Sequence, residues 1–226
     1  SEMCIRDSNY WMHNGFINVD NRKMSKSLGN FFTVREAAEV YGYDCIRMFI
    51  LMSHYRSPLN YSGEILMQAK AALERLSTAK DNLDFFCQNG ADGEMTAAEA
   101  ETLASLGVYR QKFCDAMDDD FNTADAISAI FELVREINSA VSPNAHPTKA
   151  LAEGCRALYL ELSDVLGIPF SEKKDALTPE QEALFNARKD ARKAKNWAES
   201  DRIRDELKAQ GILVEDTPQG MKWKRI

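Results

Sequence analysis

One short segment of the chain combines positive charge, hydroxyl groups and a glycine in a way that suits phosphate binding. Lys23 and Lys26 are separated by two residues, Ser25 and Ser27 flank the second lysine, and Gly29 follows. A lysine ammonium is a compact charge that can follow a moving phosphate, and serine hydroxyls can donate hydrogen bonds to its oxygens. Glycine lets the backbone approach a ligand closely. The segment predicts a mobile loop that closes over a phosphate chain, and a solvated surface loop is the less favoured alternative.

The C-terminal part of the chain differs in charge from the rest. The net charge of the whole chain is −7, which by itself argues against a nucleic-acid-binding protein. Residues 185–226 instead contain 11 Lys and Arg against 7 Asp and Glu, so a basic tail follows an acidic body. Such a tail is a candidate surface for a polyanion, although charge alone fits a solvated helix face better.

Four side chains of this tail could read single-stranded RNA. Unpaired bases are recognised by stacking on aromatic rings or guanidinium planes and by hydrogen bonds to their edges. Arg192 and Trp197 supply a guanidinium and a ring, while Asp201 and Asp216 could accept from the amino groups of cytosine or guanine. In the structural alternative, Trp197 packs in the core and Asp201 pairs with a basic residue further along its helix. The residues taken alone favour that alternative.

The patterns around these two segments predict a mainly α chain. Apolar residues recur about every 3.6 positions, and Thr or Asn residues followed three positions later by Glu or Gln mark helix starts. The four helices after residue 61 are expected to form an antiparallel bundle, residues 54–61 a loop, and the last two helices a small unit with a C-terminal hairpin. The predicted helices lie at 33–42, 44–53, 62–89, 96–118, 122–137, 148–167, 178–195 and 196–211.

Composition bounds the class of protein. The chain is 45% hydrophobic and 28% charged, which is typical of globular proteins, and it has no apolar run long enough for a membrane helix. The first residues show no signal-peptide pattern. Five cysteines without a C-x-x-C pair argue against a cysteine-based zinc site. They favour free thiols in a reducing compartment, so we expect a cytoplasmic protein without a membrane partner.

Several strings in the sequence resemble those of one enzyme family. Residues 23–27 read KMSKS, which is the signature of class I aminoacyl-tRNA synthetases. The flanking strings, WMHNGFINV at 11–19 and LGNFFTVR at 28–35, are similar to those of cysteinyl-tRNA synthetases. The same holds for HYRSPLNYS at 54–62 and MDDDFNT at 117–123. The chain is therefore identified, by resemblance, as a member of that family.

The resemblance runs from about Asn9 to Ile226, whereas residues 1–8 do not match and are interpreted as non-native. It implies the end of a class I catalytic domain, a helical bundle of the type called DALR, and an anticodon-binding domain. The corresponding boundaries are predicted at residues 1–61, 62–170 and 178–226, with a linker at 171–177.

The resemblance also implies an activity and a set of site residues. Members of the family use ATP to activate cysteine as an adenylate and transfer it to tRNA(Cys). Lys23 and Lys26 would be catalytic, and both would bind ATP together with Ser25 and Ser27. The anticodon contact would come from Arg192, Trp197, Asp201 and Asp216. The basic ending, which includes Lys222, Lys224 and Arg225, would contact phosphate.

The family pattern includes parts that this sequence does not match. A HIGH signature and a zinc site of two Cys, one His and one Glu lie upstream of the KMSKS loop in the family. His13 stands in the wrong context for the zinc ligand and is interpreted as structural, so we expect no metal site here. The chain is expected to be a C-terminal portion that is inactive alone, and a monomer.

Some alternatives stay open at this stage. His54, Tyr55 and Arg56 could pack or contact the tRNA stem, and the Asp118–Asp120 run is interpreted as a helix boundary. The related ligase that joins cysteine to an amino sugar on inositol shares the KMSKS region but should not need an anticodon reader. A free-standing tRNA-binding module without enzymatic activity is the second rival.

Overall fold

The computed structural model describes residues 9–168, 177–217 and 220–225, with the side chains of the last two excepted. Residues 1–8, most of the predicted linker and residues 218–219 of the predicted hairpin lie outside the described residues. Within the described part, no helix has the length and apolar character that a membrane crossing requires.

The N-terminal part is a small three-stranded sheet with two helices between its second and third strands in sequence. Strand β1 (Ile17–Val19) pairs antiparallel with β2 (Arg22–Lys23) and parallel with β3 (Leu59–Tyr61). Helices α1 (Val34–Tyr41) and α2 (Tyr43–Leu51) lie between β2 and β3. The prediction of a loop at 54–61 was wrong for Leu59–Tyr61, which form β3. The backbone of β3 pairs with β1, which is far away in sequence.

Five helical segments make up the bundle that follows. The segments are α3 (Gly63–Asn89), α4 (Ala97–Ser105), α5 (Gly107–Asp118), α6 (Thr123–Ala140) and α7 (Lys149–Val165). Helix α3 packs on α7, α6 packs on both α5 and α7, and α2 packs on α3 and shares the same buried core.

One predicted helix is broken in two. The sequence pattern predicted a single helix at 96–118, but α4 ends and α5 begins on either side of Leu106. The side chain of Leu106 is 2% exposed, so it is anchored in the core, and the next residue is Gly107, a poor helix former. The amide of Tyr109 donates to the carbonyl of Leu106 at 3.0 Å, a tighter turn than an α-helix makes.

The predicted helix starts are confirmed where they rest on capping residues. Reciprocal capping boxes, in which the Thr hydroxyl caps the N3 amide and the N3 side chain caps the Thr amide, form at three helices. These pairs are Thr33 with Glu36, Thr96 with Glu99, and Thr178 with Gln181.

The C-terminal part has its own small core. Helices α8 (Pro179–Lys193) and α9 (Trp197–Ala209) pack on each other, and β4 (Ile212–Thr217) pairs antiparallel with β5 (Gly220–Arg225). Gly211 takes a positive φ of 78° between α9 and β4, as predicted for the residue that ends this helix. The buried apolar side chains of this unit are Ile203, Leu207, Ile212 and Val214.

Candidate functional site

The KMSKS segment forms a tight turn directly after β2. Lys23 ends the strand, and residues Lys26–Leu28 form one turn of 3-10 helix whose N-cap is Ser25. The hydroxyl of Ser25 accepts from the amide of Leu28 at 3.3 Å and lies 3.1 Å from the hydroxyl of Ser27. The two serines thus shape the turn, and Ser27 stays exposed.

Asn30 closes this loop on itself. Its Oδ1 accepts from the amide of Ser25 at 2.9 Å, and its Nδ2 donates to the carbonyl of Lys23 at 3.1 Å. Gly29 makes the closure possible with a φ of 67°, a left-handed conformation that glycine adopts without strain. Asn30 was missed as a site residue, because its role is visible only once the loop has folded back.

Both lysines of the loop are exposed, and neither forms an ion pair with a carboxylate in the described residues. Lys26 lies with its ammonium 5.3 Å from the ring centroid of Phe31, a loose cation–π contact at the surface. The two ammonium groups can therefore take an anionic ligand without first breaking an internal salt bridge. This arrangement fits the predicted phosphate-binding loop.

The sheet holds the base of this loop in place. The turn between β1 and β2 places Asp20 and Asn21 at positive φ, and both are tied to β3. The amide of Asp20 donates to the carbonyl of Tyr61 at 3.1 Å, and the amide of Asn21 donates to Oδ1 of Asn60 at 2.7 Å. Strand β3, which the sequence did not predict, thus supports the turn between β1 and β2. Strand β2 in turn leads directly into the KMSKS loop.

Three of the four predicted anticodon-reading residues come together in the tail. Arg192, on α8, donates from Nη1 to Oδ2 of Asp216 at 2.8 Å, and its guanidinium lies 5.6 Å from the ring of Trp197. Trp197 is 57% exposed, so it is not a core residue. Asp201 instead pairs with Arg204 on its own helix at 3.1 Å, as the structural alternative predicted.

A second arginine, Arg188, completes this cluster. It is 0% exposed and donates from Nη1 to Oδ1 and from Nη2 to Oδ2 of Asp216, at 2.8 and 2.9 Å. The hydrogen bonds from Arg188 are the main reason why the pKa of Asp216 is lowered, and the charge of Arg192 adds to the effect. Sequence reasoning missed Arg188, although its position four residues before Arg192 places both on one helix face.

Three family models match the chain, one after another. The catalytic domain of class I (C) tRNA synthetases matches residues 2–71, and the DALR domain matches residues 112–171. The anticodon-binding domain of cysteinyl-tRNA ligase matches residues 174–223. The chain belongs to the cysteinyl-tRNA synthetase family. The resemblance inferred from the KMSKS segment and its flanking strings is thereby confirmed.

Curated relatives agree with these models. The cysteine–tRNA ligase of Symbiobacterium thermophilum is 49% identical over 219 residues, which are 96% of this chain and 46% of the relative. The cysteine–tRNA ligase of Clostridioides difficile is 48% identical, over 97% of this chain and 47% of the relative. The chain thus spans about half the length of the curated relatives it matches.

A solved structure shares the fold. A leucyl-tRNA synthetase of Agrobacterium radiobacter K84, solved as a ternary complex with tRNA and LeuAMS, matches with a TM-score of 0.56 and 22% identity. The match covers 71% of this chain and 21% of the leucyl enzyme. At this identity the likeness concerns the fold alone, and it agrees with the mainly α architecture.

Two residues of the basic ending contact other parts of the chain. Lys222 points to the bundle and donates to Oδ1 of Asn82 at 3.0 Å, and its contact with phosphate stays a prediction. Trp223 is partly buried against the small core of the tail. The side chains of Lys224 and Arg225 lie outside the described residues.

A polar cluster joins the loop before β3 to the end of α5. Tyr55 donates to Oδ1 of Asp120 at 2.8 Å, Nε of Arg56 lies 2.6 Å from Oδ2, and His54 stacks on the Tyr55 ring. The hydrogen bond from Arg56 lowers the pKa of Asp120. These three residues therefore pack onto the aspartate run, which supports its interpretation as a helix-boundary feature.

His13 is exposed, so its interpretation as a structural residue receives no support from packing. In the described part of the chain, no three His, Cys, Asp or Glu side chains come close enough together to hold a metal ion. The described cysteines, Cys45, Cys87, Cys114 and Cys155, are free thiols.

Proposed function

We propose that this chain serves cysteine–tRNA ligation, in which ATP and cysteine give cysteinyl adenylate and pyrophosphate. The cysteine is then transferred to the 3′ end of tRNA(Cys), with release of AMP. The observation that carries the proposal is the KMSKS loop, where Lys23 and Lys26 stand exposed on a turn closed by Asn30. The family supplies the reaction, and the loop supplies two cations suited to a triphosphate.

The proposed role of the two lysines is electrostatic. Negative charge builds up on pyrophosphate as it leaves the α-phosphorus, and ammonium groups already placed nearby stabilise that charge. Ser25 and Ser27 are proposed to bind ATP beside the lysines. Ser27 is the better placed of the two to donate to phosphate, because the hydroxyl of Ser25 already caps the turn.

The remaining parts of the active site are proposed to lie outside this chain. In the family, a HIGH signature contacts ATP and a zinc ion selects the cysteine thiolate. No residues here match either motif, so we expect no cysteine-dependent ATP–pyrophosphate exchange by the purified chain. Exchange above the level of a Lys26→Ala variant would overturn this expectation.

The tail is proposed to read the anticodon of tRNA(Cys). Trp197 offers an exposed ring for stacking, and Asp216 offers a carboxylate to an amino group of a base edge. Arg192 lies between them and contacts both. Asp201, on the neighbouring helix, is proposed as the fourth contact, once it releases Arg204.

A binding experiment tests this reading without needing catalysis. The chain is titrated with fluorescent anticodon stem–loops at one fixed salt concentration, because phosphate contacts make all affinities salt-dependent. A loop with the anticodon GCA should bind more tightly than loops with one changed base. Asp216→Asn should reduce this discrimination more than the general affinity, since base contacts specify and phosphate contacts position. Equal losses for all loops would contradict a base-reading role.

Other properties of the proposed enzyme follow from the same interpretation. The domain boundaries at 61, 170 and 178, a monomeric state and a cytoplasmic location remain proposals. The match of residues 174–223 to an anticodon-binding domain favours the tRNA ligase over the amino-sugar ligase, which has no anticodon to read.

A further inference from the structure

Asp216 accepts hydrogen bonds from two arginines in very different surroundings. Arg188 is completely buried and holds both carboxylate oxygens through its two terminal nitrogens. The side chain of Arg192 is 37% exposed and makes a single bond to Oδ2. A bidentate ion pair fixes the plane of a carboxylate, whereas a single hydrogen bond at the solvent-exposed edge does not.

The buried position of Arg188 makes its pair with Asp216 hard to break. A guanidinium removed from water needs compensation, and removing its partner leaves a buried, unpaired charge. Its Nε already has no hydrogen-bond partner among the described residues, and Nη1 also contacts the sulfur of Met221 at 2.7 Å. Asp216 is therefore the principal compensation for this charge.

Arg192 can leave Asp216 at much lower cost. Its guanidinium is partly solvated, and its second contact is the face of the exposed Trp197 ring. When it leaves, Oδ2 regains a free acceptor position at the surface of the tail. The carboxylate then faces outward in an orientation still set by Arg188.

We propose that Arg188 is a positioning residue, which holds Asp216 in the orientation needed to accept from a base amino group. The bond from Arg192 is the one that is released when the base enters. This inference rests on the proposed anticodon reading and adds the residue that makes Asp216 specific.

A double-mutant cycle tests it with the stem–loop assay. The variants are Arg188→Lys, Asp216→Asn and the double variant. Lysine keeps the positive charge of Arg188 but cannot form the bidentate hydrogen bonds. Arg202→Lys is the matched control, because Arg202 is an exposed arginine of the same unit whose ion pairs, among the described residues, are with Glu199 and Glu206 of its own helix. Far-ultraviolet circular dichroism confirms that each variant is folded at the temperature used.

Arg188→Lys is expected to reduce discrimination between GCA and a base-changed loop about tenfold, and to have no further effect when Asp216 is already Asn. Arg202→Lys should leave discrimination unchanged. An equal loss in the Asn background would overturn the proposal, because Arg188 would then act independently of Asp216. An unchanged ratio in Arg188→Lys beside a reduced one in Asp216→Asn would overturn it as well, and would leave the anticodon proposal standing. No effect of Asp216→Asn would refute both.

A measurement on the unsubstituted chain covers the case in which Arg188→Lys unfolds the tail. Nitrogen-15 NMR of the Arg188 guanidinium should show separate, slowly exchanging Nη groups, since both are held by Asp216. They should stay separate when the GCA stem–loop is added, while the Arg192 signals change. Averaging of the Arg188 signals on binding would overturn the proposal.

Discussion

The ammonium of Lys222, on β5, lies 4.3 Å from the ring centroid of Phe85, on α3. It lies 4.7 Å from the Phe86 centroid and donates to Asn82, 140 residues earlier in the chain. Burial among these groups lowers the pKa of Lys222. A residue of the basic ending thus joins the tail hairpin to the bundle.

Replacing Lys222 by alanine is expected to weaken this junction. The variant loses a partly desolvated cation–π contact and a hydrogen bond, which together should lower the free energy of unfolding of the tail by about 1–2 kcal/mol. Urea unfolding followed by tryptophan fluorescence measures the change, because Trp197 and Trp223 both lie in the tail.

Lys208→Ala is the control for this prediction, since Lys208 is exposed on α9. It should leave the unfolding midpoint nearly unchanged. If both alanine variants shift the midpoint equally, the contact of Lys222 with α3 contributes nothing specific.

Acid should loosen the tail through Asp216. Its pKa is lowered in the folded chain, mainly by the hydrogen bonds from Arg188. A lowered carboxyl pKa adds stability that is fully present above the unfolded value of about 3.9 and is lost as the pH falls through the folded value. We therefore expect tail unfolding in urea to become easier below about pH 4. Asp216→Asn should remove that part of the pH dependence, and an unchanged acid profile would contradict the assignment.

Features of the fold that depend on neighbouring residues could be predicted from the sequence, whereas contacts between distant residues could not. The pair Thr33 and Glu36, three residues apart, fixed a helix start that the structure confirms, because capping boxes depend only on neighbours. The strand Leu59–Tyr61 escaped prediction because its partner β1 lies some 40 residues earlier. The contact of Lys222 with α3 escaped prediction for the same reason, since nothing near Lys222 in sequence reveals it.

The candidate site shows the same division. The KMSKS residues and the tail residues were proposed from their types and from family resemblance, and their roles stay predictions. Asn30 and Arg188, which hold these groups in place, were not predicted. A side chain that orients another group carries no sequence signature of its own. The sequence thus suggested candidate functional groups, but not the contacts that orient them.

Gly15 is expected to tolerate no side chain. Its amide donates to the carbonyl of Tyr55 at 2.7 Å, and an added Cβ would lie 2.3 Å from the carbonyl oxygen of Ser57. Because the atom that a Cβ would meet belongs to the backbone, Gly15→Ala should cost about 1–3 kcal/mol in the free energy of unfolding. Urea titration monitored by circular dichroism measures the loss.

Gly107→Ala provides the contrast for Gly15. A Cβ there would meet no atom within 4 Å, and the residue lies at the first position of α5. Alanine is the better helix former, so this variant should gain up to about 1 kcal/mol. A loss as large as that of Gly15→Ala would mean that the close approach of Gly15 to Ser57 is not the cause.

The KMSKS prediction needs a complete active site. This chain can be joined to the preceding half of the Clostridioides difficile relative, which is 48% identical to it in the shared half. Lys26→Ala in that enzyme should slow cysteine adenylation about a hundredfold or more, because a preplaced charge that stabilises the transition state is lost. ATP–pyrophosphate exchange measures the rate, and Lys208→Ala should leave it unchanged. Since Lys26 is exposed, its removal should not alter unfolding. An undiminished exchange rate would remove the loop from the proposed catalytic role.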